Sequence, residues 1–381
     1  MRFRIPFNQP HIVGTELAYI SDSLNSQHIC GDGDYTTRCQ LLMEERFKAN
    51  KVLLTTSCTT ALEMAAILCD IRQGDEVIMP SYTFVSTANA FVSRGARPVF
   101  VDIRPDTLNI DENLIKENIT EKTKMIVPVH YAGVSCEMDA IQAIAKNHDV
   151  FIVEDAAQGV NAKYKDKYLG TIGDLGAYSF HETKNFVCGE GGAIVINKEE
   201  FNERAEIIRE KGTNRKQFCR GEVDKYTWVD IGSSYLISDI LAAILFAQLD
   251  YMDEITQKRE RIYNIYSQYL EPLKNKGYFA VPNIPELCIS NYHMFYIILN
   301  DLETRQKLIA HLKSKGILAV FHYVPLHTSI MGKKYGYREG MLPVTEKTSE
   351  RLLRLPFYAD LTEIELVSVI KEIYRFFGEK F

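Results

Sequence analysis

No apolar run in the 381 residues approaches the ~20 that a membrane-spanning helix needs. Eight cysteines are present, Cys30, Cys39, Cys58, Cys69, Cys136, Cys188, Cys219 and Cys288. No two lie two or three apart, which excludes a CxxC zinc or redox pair. Basic residues are in deficit: 44 Lys and Arg stand against 50 Asp and Glu, a formal net charge of −6. That balance argues against a nucleic-acid binder or an anionic-membrane binder, both of which need a basic surface. One small anionic ligand needs only a local site. His11, His28, His148 and His311 show no metal spacing, and no metal is expected. The single tryptophan, Trp228, suggests no role. The start, Met1-Arg2-Phe3-Arg4, has basic residues but no apolar stretch behind them. No secretory leader is therefore expected, and free thiols and a cytoplasmic location follow.

What is present is an ordinary globular composition, 46% hydrophobic and 25% charged. Apolar runs at 52–55, 77–79, 98–102, 125–129, 150–153, 177–180 and 193–196 alternate with helical spacings such as 61–68 and 138–146. Alternation of this kind predicts a largely parallel sheet covered by helices. From about Ser238 the pattern changes. A long helix is expected from Ile240 to Leu270, ended by Pro272. A strand at 294–299, a helix at 303–315, a strand at 318–323 and a capped helix from Thr362 follow. That is a smaller α+β unit.

Three features lie at the ends of predicted strands, where open α/β sheets bind ligands. Thr56-Ser57-Cys58-Thr59-Thr60 opens a helix, and hydroxyls at a helix start can hold an anion. Val153-Glu154-Asp155 delivers an acidic pair, one of which can face a cationic partner. Ser179-Phe180-His181-Glu182-Thr183-Lys184 carries a lysine just before the turn Gly189-Glu190-Gly191-Gly192. Taken singly, these read as an N-cap, a turn and a surface lysine. Together they fit pyridoxal 5′-phosphate (PLP). Its phosphate needs donors, its pyridinium nitrogen a carboxylate, and its aldehyde an amine.

The same stretches, with Cys30-Gly31-Asp32-Gly33, Ser81-Tyr82-Thr83-Phe84, His130-Tyr131-Ala132-Gly133, Arg209-Glu210-Lys211-Gly212 and His322-Tyr323-Val324-Pro325-Leu326-His327, resemble the DegT/StrS family of sugar aminotransferases. The likeness spans nearly the whole chain. It implies the fold-type I, aspartate aminotransferase-like architecture. A large PLP domain (1–245) with a mostly parallel seven-stranded sheet would precede a small α+β domain (246–381). It implies that Lys184 carries the cofactor as a Schiff base and that Asp155 pairs with the pyridine nitrogen. Gln158 would meet the phenolic oxygen, Phe84 would stack on the ring, and Thr59, Thr60 and Ser179 would hold the phosphate. Many relatives have Gly-x-Asn-x-Arg where this chain reads Gly232-Ser233-Ser234-Tyr235-Leu236. Ser234 would then take over a phosphate contact to the neighbouring subunit's cofactor.

The resemblance further implies transfer of the amino group of L-glutamate to C4 of dTDP-4-keto-6-deoxy-D-glucose. The product would be a 4-amino-4,6-dideoxy-D-galactose nucleotide for enterobacterial common antigen or O-antigen. The alternative is another substrate, a UDP-4-keto or dTDP-3-keto sugar. A sugar dehydratase is disfavoured because relatives of that kind replace the lysine with histidine. A homodimer, at least, with shared sites is implied. His181, Lys211, Arg215, Tyr323 and His327 are the candidate substrate contacts. The segment 209–225, with six basic and three acidic residues, is a candidate diphosphate clamp. Cys58 and Cys188 beside the cofactor residues lead to the expectation that thiol reagents inhibit.

Overall fold

In the computed structural model, which describes residues 3–381, seven apolar segments form one sheet. They are β1 (Lys51–Thr55), β2 (Glu76–Pro80), β3 (Arg97–Val101), β4 (Thr123–Ile126), β5 (Phe151–Asp155), β6 (Leu175–Ser179) and β7 (Gly192–Ile196). Met1 and Arg2, part of the leader reading, lie outside the described residues. The order is β1-β7-β6-β5-β4-β2-β3. Every pair from β6 to β3 is parallel, while β7 runs antiparallel to both neighbours. Successive side chains alternate between the two faces, and each face is covered. Leu54, Ile78, Ile126, Ile152 and Val195 enter one core, and Leu53, Val77, Met125, Val153 and Ile194 the other.

Parallel strands bring their carboxyl ends to a common edge. β5 ends there on Asp155, β6 on Ser179 and β1 on Thr55. Gly192 begins β7 at that same edge, in register with both Ser179 and Thr55. Its backbone backs directly onto the turn after β1: a Cβ there would stand 2.3 Å from the Ser57 carbonyl carbon.

A second, antiparallel sheet joins Phe279–Ala280, Tyr296–Leu299 and Leu352–Arg354. It packs with the helices Met252–Asn275, Leu302–Ser314 and Glu363–Phe376 around its own core, which includes Tyr266, Phe295, Leu308 and Ile370. Thr362 and Glu365 form the expected capping box.

Three local expectations change. The helix expected from Ile240 to Leu270 is two helices, Asp239–Asp250 and Met252–Asn275, because Tyr251 leaves helical geometry (φ −103°, ψ 23°). Pro272 does not end the second one, which runs on to Asn275. The proline removes the N–H that would reach the Gln268 carbonyl, and Gln268 is exposed, so water can serve that carbonyl. The strand expected at 318–323 is not formed. Ile317 pairs with Ile5 and Val320 with Arg354, one bridge on each side.

Candidate active site

The carboxyl edge of the large sheet and the second sheet enclose a cavity of about 610 Å³. β5 brings two adjacent carboxylates to it, and strand alternation separates their fates. Glu154 turns away from the cavity. Its oxygens accept from the N–H groups of Gly170 (2.8 Å), Ile172 (2.6 Å) and Gly173 (2.6 Å), and one lies 2.8 Å from His130 Nε2. Asp155 faces the cavity. Thr87 Oγ1 donates to its Oδ2 at 2.6 Å and the Ala157 N–H to its Oδ1 at 3.2 Å. Thr83 Oγ1 in turn stands 2.8 Å from Thr87 Oγ1. A chain of hydroxyls thus fixes the carboxylate before any ligand arrives.

Lys184 lies past the end of β6, in a turn closed by its own N–H to the His181 carbonyl (2.9 Å). The next residue, Asn185, anchors the turn to the second unit by donating to the Asn291 carbonyl and meeting His293 Nδ1, both at 2.8 Å. The Lys184 amine lines the cavity and makes no hydrogen bond or ion pair among the described residues. Burial pushes its pKa below the ordinary lysine value, against the opposing pull of Cys58 and Asp155.

The turn after β1 enters the helix Cys58–Leu68 through a capping box between Ser57 and Thr60. Thr60 is spent on that cap, its hydroxyl taking the Ser57 N–H at 3.0 Å. Thr59 does line the cavity, with its hydroxyl 2.8 Å from Ser86 Oγ. The N–H groups of Cys58 and Thr59 have no partner among the described residues, and they sit at the positive end of the helix. Ser179 adds a hydroxyl from the end of β6. A phosphate beside this helix start, a ring nitrogen at Asp155 and an aldehyde at Lys184 suit the donor set, so the residues present fit PLP.

Residues 10–374 match the DegT/DnrJ/EryC1/StrS aminotransferase family. The chain belongs to that family. A pleiotropic regulatory protein of Geobacillus stearothermophilus is 35% identical, with 91% of each chain covered. GDP-perosamine synthase of Escherichia coli O157:H7 is 31% identical, with 99% of each covered. Among solved structures, the PMP form of the putative sugar aminotransferase Spr1654 from Streptococcus pneumoniae superposes with a TM-score of 0.92. It is 27% identical over 98% of this chain and 99% of that one, and the same protein is also solved in a PLP form. This family member is a PLP-dependent aminotransferase of the fold-type I architecture.

Other residues singled out from the sequence divide into two groups. Phe84, Gln158, His181 and Tyr323 line the cavity with Lys184 and Asp155. Phe84 is 58% exposed at the mouth, with its ring 6.5 Å from that of Tyr323. Gln158 accepts from the Ala132 N–H (2.7 Å) and donates to the Tyr323 hydroxyl (3.1 Å), leaving one amide hydrogen free. His181 meets Thr183 Oγ1 at 2.9 Å.

His327 is outside the cavity. It is fully buried, with Nδ1 2.7 Å from Ser81 Oγ and Nε2 2.8 Å from Glu346. Both ring nitrogens are engaged in joining two segments, so it has none to offer a sugar. Ser234 is exposed and away from the cavity wall, its backbone bridged to Glu210. Lys211 and Arg215 both pair with Glu210, at 3.1 and 3.3 Å. The wider basic segment is similarly spent: Arg209 is buried against Asp32, Lys216 pairs with Asp32, and Arg220 with Glu206 and Glu222. Within one chain the segment is therefore no diphosphate clamp, because five of its six basic side chains are held by nearby carboxylates and none of the six lines the cavity.

The thiol expectation also shifts. Burial raises the pKa of Cys58 and of Cys188, so neither is a ready thiolate at neutral pH.

Thr87, His293, Phe7 and Arg354, not singled out from the sequence as site residues, also line the cavity, as does His322 of the stretch His322–His327. His293 and His322 are buried, and desolvation pushes both well below the ordinary histidine pKa, so they stay neutral. Arg354 had a signal: it is the lone charge in the apolar stretch Leu352-Leu353-Arg354-Leu355.

Proposed function

We propose that this aminotransferase moves the amino group of L-glutamate to C4 of dTDP-4-keto-6-deoxy-D-glucose. The products are dTDP-4-amino-4,6-dideoxy-D-galactose and 2-oxoglutarate. The observation that carries the chemistry is the meeting, in one cavity, of the partnerless Lys184 amine with the buried Asp155 carboxylate. When bound, PLP supplies an electron sink for the charge that develops at the donor carbon. Asp155, braced by Thr87 and Ala157, holds the proton on the pyridine nitrogen. The Lys184 amine, whose proton burial loosens, takes the proton from the donor Cα and later delivers one at the sugar C4. Tyr323, Gln158 and Phe84 wall the mouth and exclude water.

The nucleotide-sugar class is supported by the relative named GDP-perosamine synthase and by the neighbour named a sugar aminotransferase. The dTDP-sugar and its C4 position rest on the motif resemblance. The same reading places the enzyme in the cytoplasm, feeding common antigen or O-antigen. It divides the chain near residue 245 into a cofactor domain and a small domain. No helix of the described residues is long and apolar enough to cross a membrane.

A homodimer is part of the proposal. Ser234, Lys211 and Arg215 stand outside the cavity of their own chain, and the nearby loop exposes Tyr226, Trp228 and Val229, with Trp228 77% exposed. A surface of that kind suits burial against a second copy. Incubation with L-glutamate and a panel of dTDP-, UDP- and GDP-linked 4-keto and 3-keto sugars, with NMR of the product, tests the assignment. An axial amine at C4 of the dTDP-sugar is expected. Preference for another nucleotide or for C3 overturns the substrate.

A further inference from the structure

The stretch Ser290–His293 precedes the strand Tyr296–Leu299 of the second sheet and forms no regular element. It is nevertheless firmly held. Tyr292 sits in the left-handed region (φ 52°), which disfavours a bulky side chain and persists only where the surroundings over-determine it. Three groups do so. The Tyr292 N–H donates to Ser290 Oγ at 2.9 Å, and the Tyr292 hydroxyl donates to Glu260 at 2.7 Å. Buried Arg259 donates to the carbonyls of Tyr292 and His293, at 3.0 and 2.5 Å. A guanidinium that donates to two successive carbonyls of an irregular segment holds that segment in one shape.

The residue held in this way reaches the site from behind. Asn291 is fully enclosed. Its Nδ2 donates to the backbone carbonyls of Gln158 and Val160, both at 2.8 Å. Its own carbonyl accepts from Asn185 Nδ2, and His293 Nδ1 meets Asn185 Oδ1, both at 2.8 Å. Asn185 directly follows Lys184 in the chain. The Asn291 Oδ1 has no hydrogen-bond partner and lies against Gly133, where a Cβ would come within 2.0 Å of it. Ala132, the residue before that glycine, gives its N–H to the Gln158 side chain at 2.7 Å. Asn291 therefore meets the backbone that carries Gln158, the turn that orients the Gln158 amide, and the neighbour of Lys184. A buried oxygen left unpaired is a cost, and it marks a position with a task beyond packing.

We propose that Asn291 is a positioning residue of the aminotransferase: held in place through Arg259, it sets the Lys184 turn against Gln158. It thereby fixes the spacing between the amine that bonds the cofactor and the amide that meets the cofactor's phenolic oxygen. This rests on the reading that gives Lys184 and Gln158 those two roles. The Gln158 N–H and the proton on the Lys184 nitrogen then compete for one oxygen. Loosening Gln158 strengthens that oxygen's hold on the Lys184 proton, so the pH midpoint of the bound cofactor's visible absorbance rises.

The test is spectroscopic pH titration of PLP-loaded enzymes. Asn291→Ala removes both donors, and Asn291→Ser keeps one shorter donor. Gln158→Leu removes the amide itself. Leu308→Ala, in the core beside the second sheet, is the stability control. The groups that face Lys184, namely Cys58, Asp155, Arg354, His293 and His322, are unchanged in every variant. Asn291→Ala is expected to raise the midpoint by about 0.5 unit or more, a roughly threefold or greater change in proton affinity. Gln158→Leu shifts it in the same direction, and Asn291→Ser falls between wild type and Asn291→Ala. The half-reaction of Asn291→Ala at saturating L-glutamate slows roughly 10- to 100-fold, because misplaced groups are felt in the rate. Leu308→Ala lowers the denaturant midpoint and leaves the absorbance midpoint unchanged. An unchanged midpoint in Asn291→Ala beside a raised one in Gln158→Leu would overturn the proposal and leave the Gln158 role standing. An unchanged midpoint in Gln158→Leu would remove that role and the proposal with it. Equal shifts in Asn291→Ala and Leu308→Ala would tie the midpoint to overall stability and overturn the assignment as well. If Asn291→Ala does not fold, Asn291→Ser decides by the same criteria.

Discussion

Two neighbouring carboxylates at the end of β5 make a controlled comparison. Asp155 accepts from the Thr87 hydroxyl at 2.6 Å and the Ala157 N–H at 3.2 Å, and faces the cavity. Asp155→Asn replaces one acceptor oxygen by a donor of the same size. With its nitrogen toward Ala157 the amide opposes that N–H with another donor, with its nitrogen toward Thr87 the hydroxyl must reverse its bond, and in both orientations the negative charge is gone. Loss of one charge-assisted hydrogen bond alone costs about 1.5–3 kcal/mol, or roughly 10- to 150-fold in rate if felt in the transition state. Loss of the counter-charge at the ring nitrogen adds to that, so the L-glutamate half-reaction is expected to slow by at least ~100-fold. Stopped-flow absorbance at saturating glutamate measures it. Glu154→Gln is the control. It sets an amide against three backbone N–H groups and His130, and is expected to cost about 1–3 kcal/mol of folding stability by denaturant titration. Half-reaction rates for Asp155→Asn within about tenfold of wild type, a barrier change under ~1.4 kcal/mol, would refute the role given to Asp155.

Gly192→Ala places a Cβ 2.3 Å from the Ser57 carbonyl carbon, and backbone has no room to yield cheaply. A loss of about 1–3 kcal/mol in stability is expected, together with weaker PLP retention on dialysis; unchanged values for both would contradict the close approach. Burial lowers the Lys184 pKa in the cofactor-free protein, while the unfolded chain keeps that proton to about pH 10.4. Between those two values the unfolded state binds more protons, so stability rises with pH there. The cofactor-free Lys184→Met variant should therefore exceed wild type in urea midpoint at neutral pH, with the gap narrowing toward about pH 10.4; a gap independent of pH would refute the desolvation of Lys184. Exposed Cys30 and Cys219 should react with Ellman's reagent well before buried Cys188 or the partly enclosed Cys58. Early labelling of Cys58 with loss of activity, followed by peptide mapping, would restore the discarded thiol expectation.

The sheet was legible because strands covered on both faces must be apolar along their length, and each of the seven runs became a strand. The reversed direction of β7 was not legible, since an antiparallel strand buried on both faces carries the same pattern. Candidate site residues near strand ends were readable for a related reason: Asp155 and Ser179 close apolar runs where those runs meet the sheet edge, and Lys184 follows in the turn just beyond. What the sequence could not convey was where a polar side chain spends its hydrogen bonds. His327 reads as a site residue until its ring is found between Ser81 and Glu346, partners 246 and 19 residues away. The basic segment 209–225 reads as a clamp until Asp32, Glu206 and Glu210 are found to hold five of its six basic side chains away from the cavity. Thr87 and Phe7 join the site only through tertiary packing, and neither is distinguished in its local sequence.

In the proposed reaction the buried Lys184 amine forms the bond to the cofactor and is freed by the amine donor. Borohydride reduction of the holoenzyme, followed by mass mapping of its peptides, tests it most directly. A pyridoxyl group is expected on Lys184 alone, and none when L-glutamate is added before the reductant. A label on another lysine, or no label in protein that retains the cofactor, would contradict it.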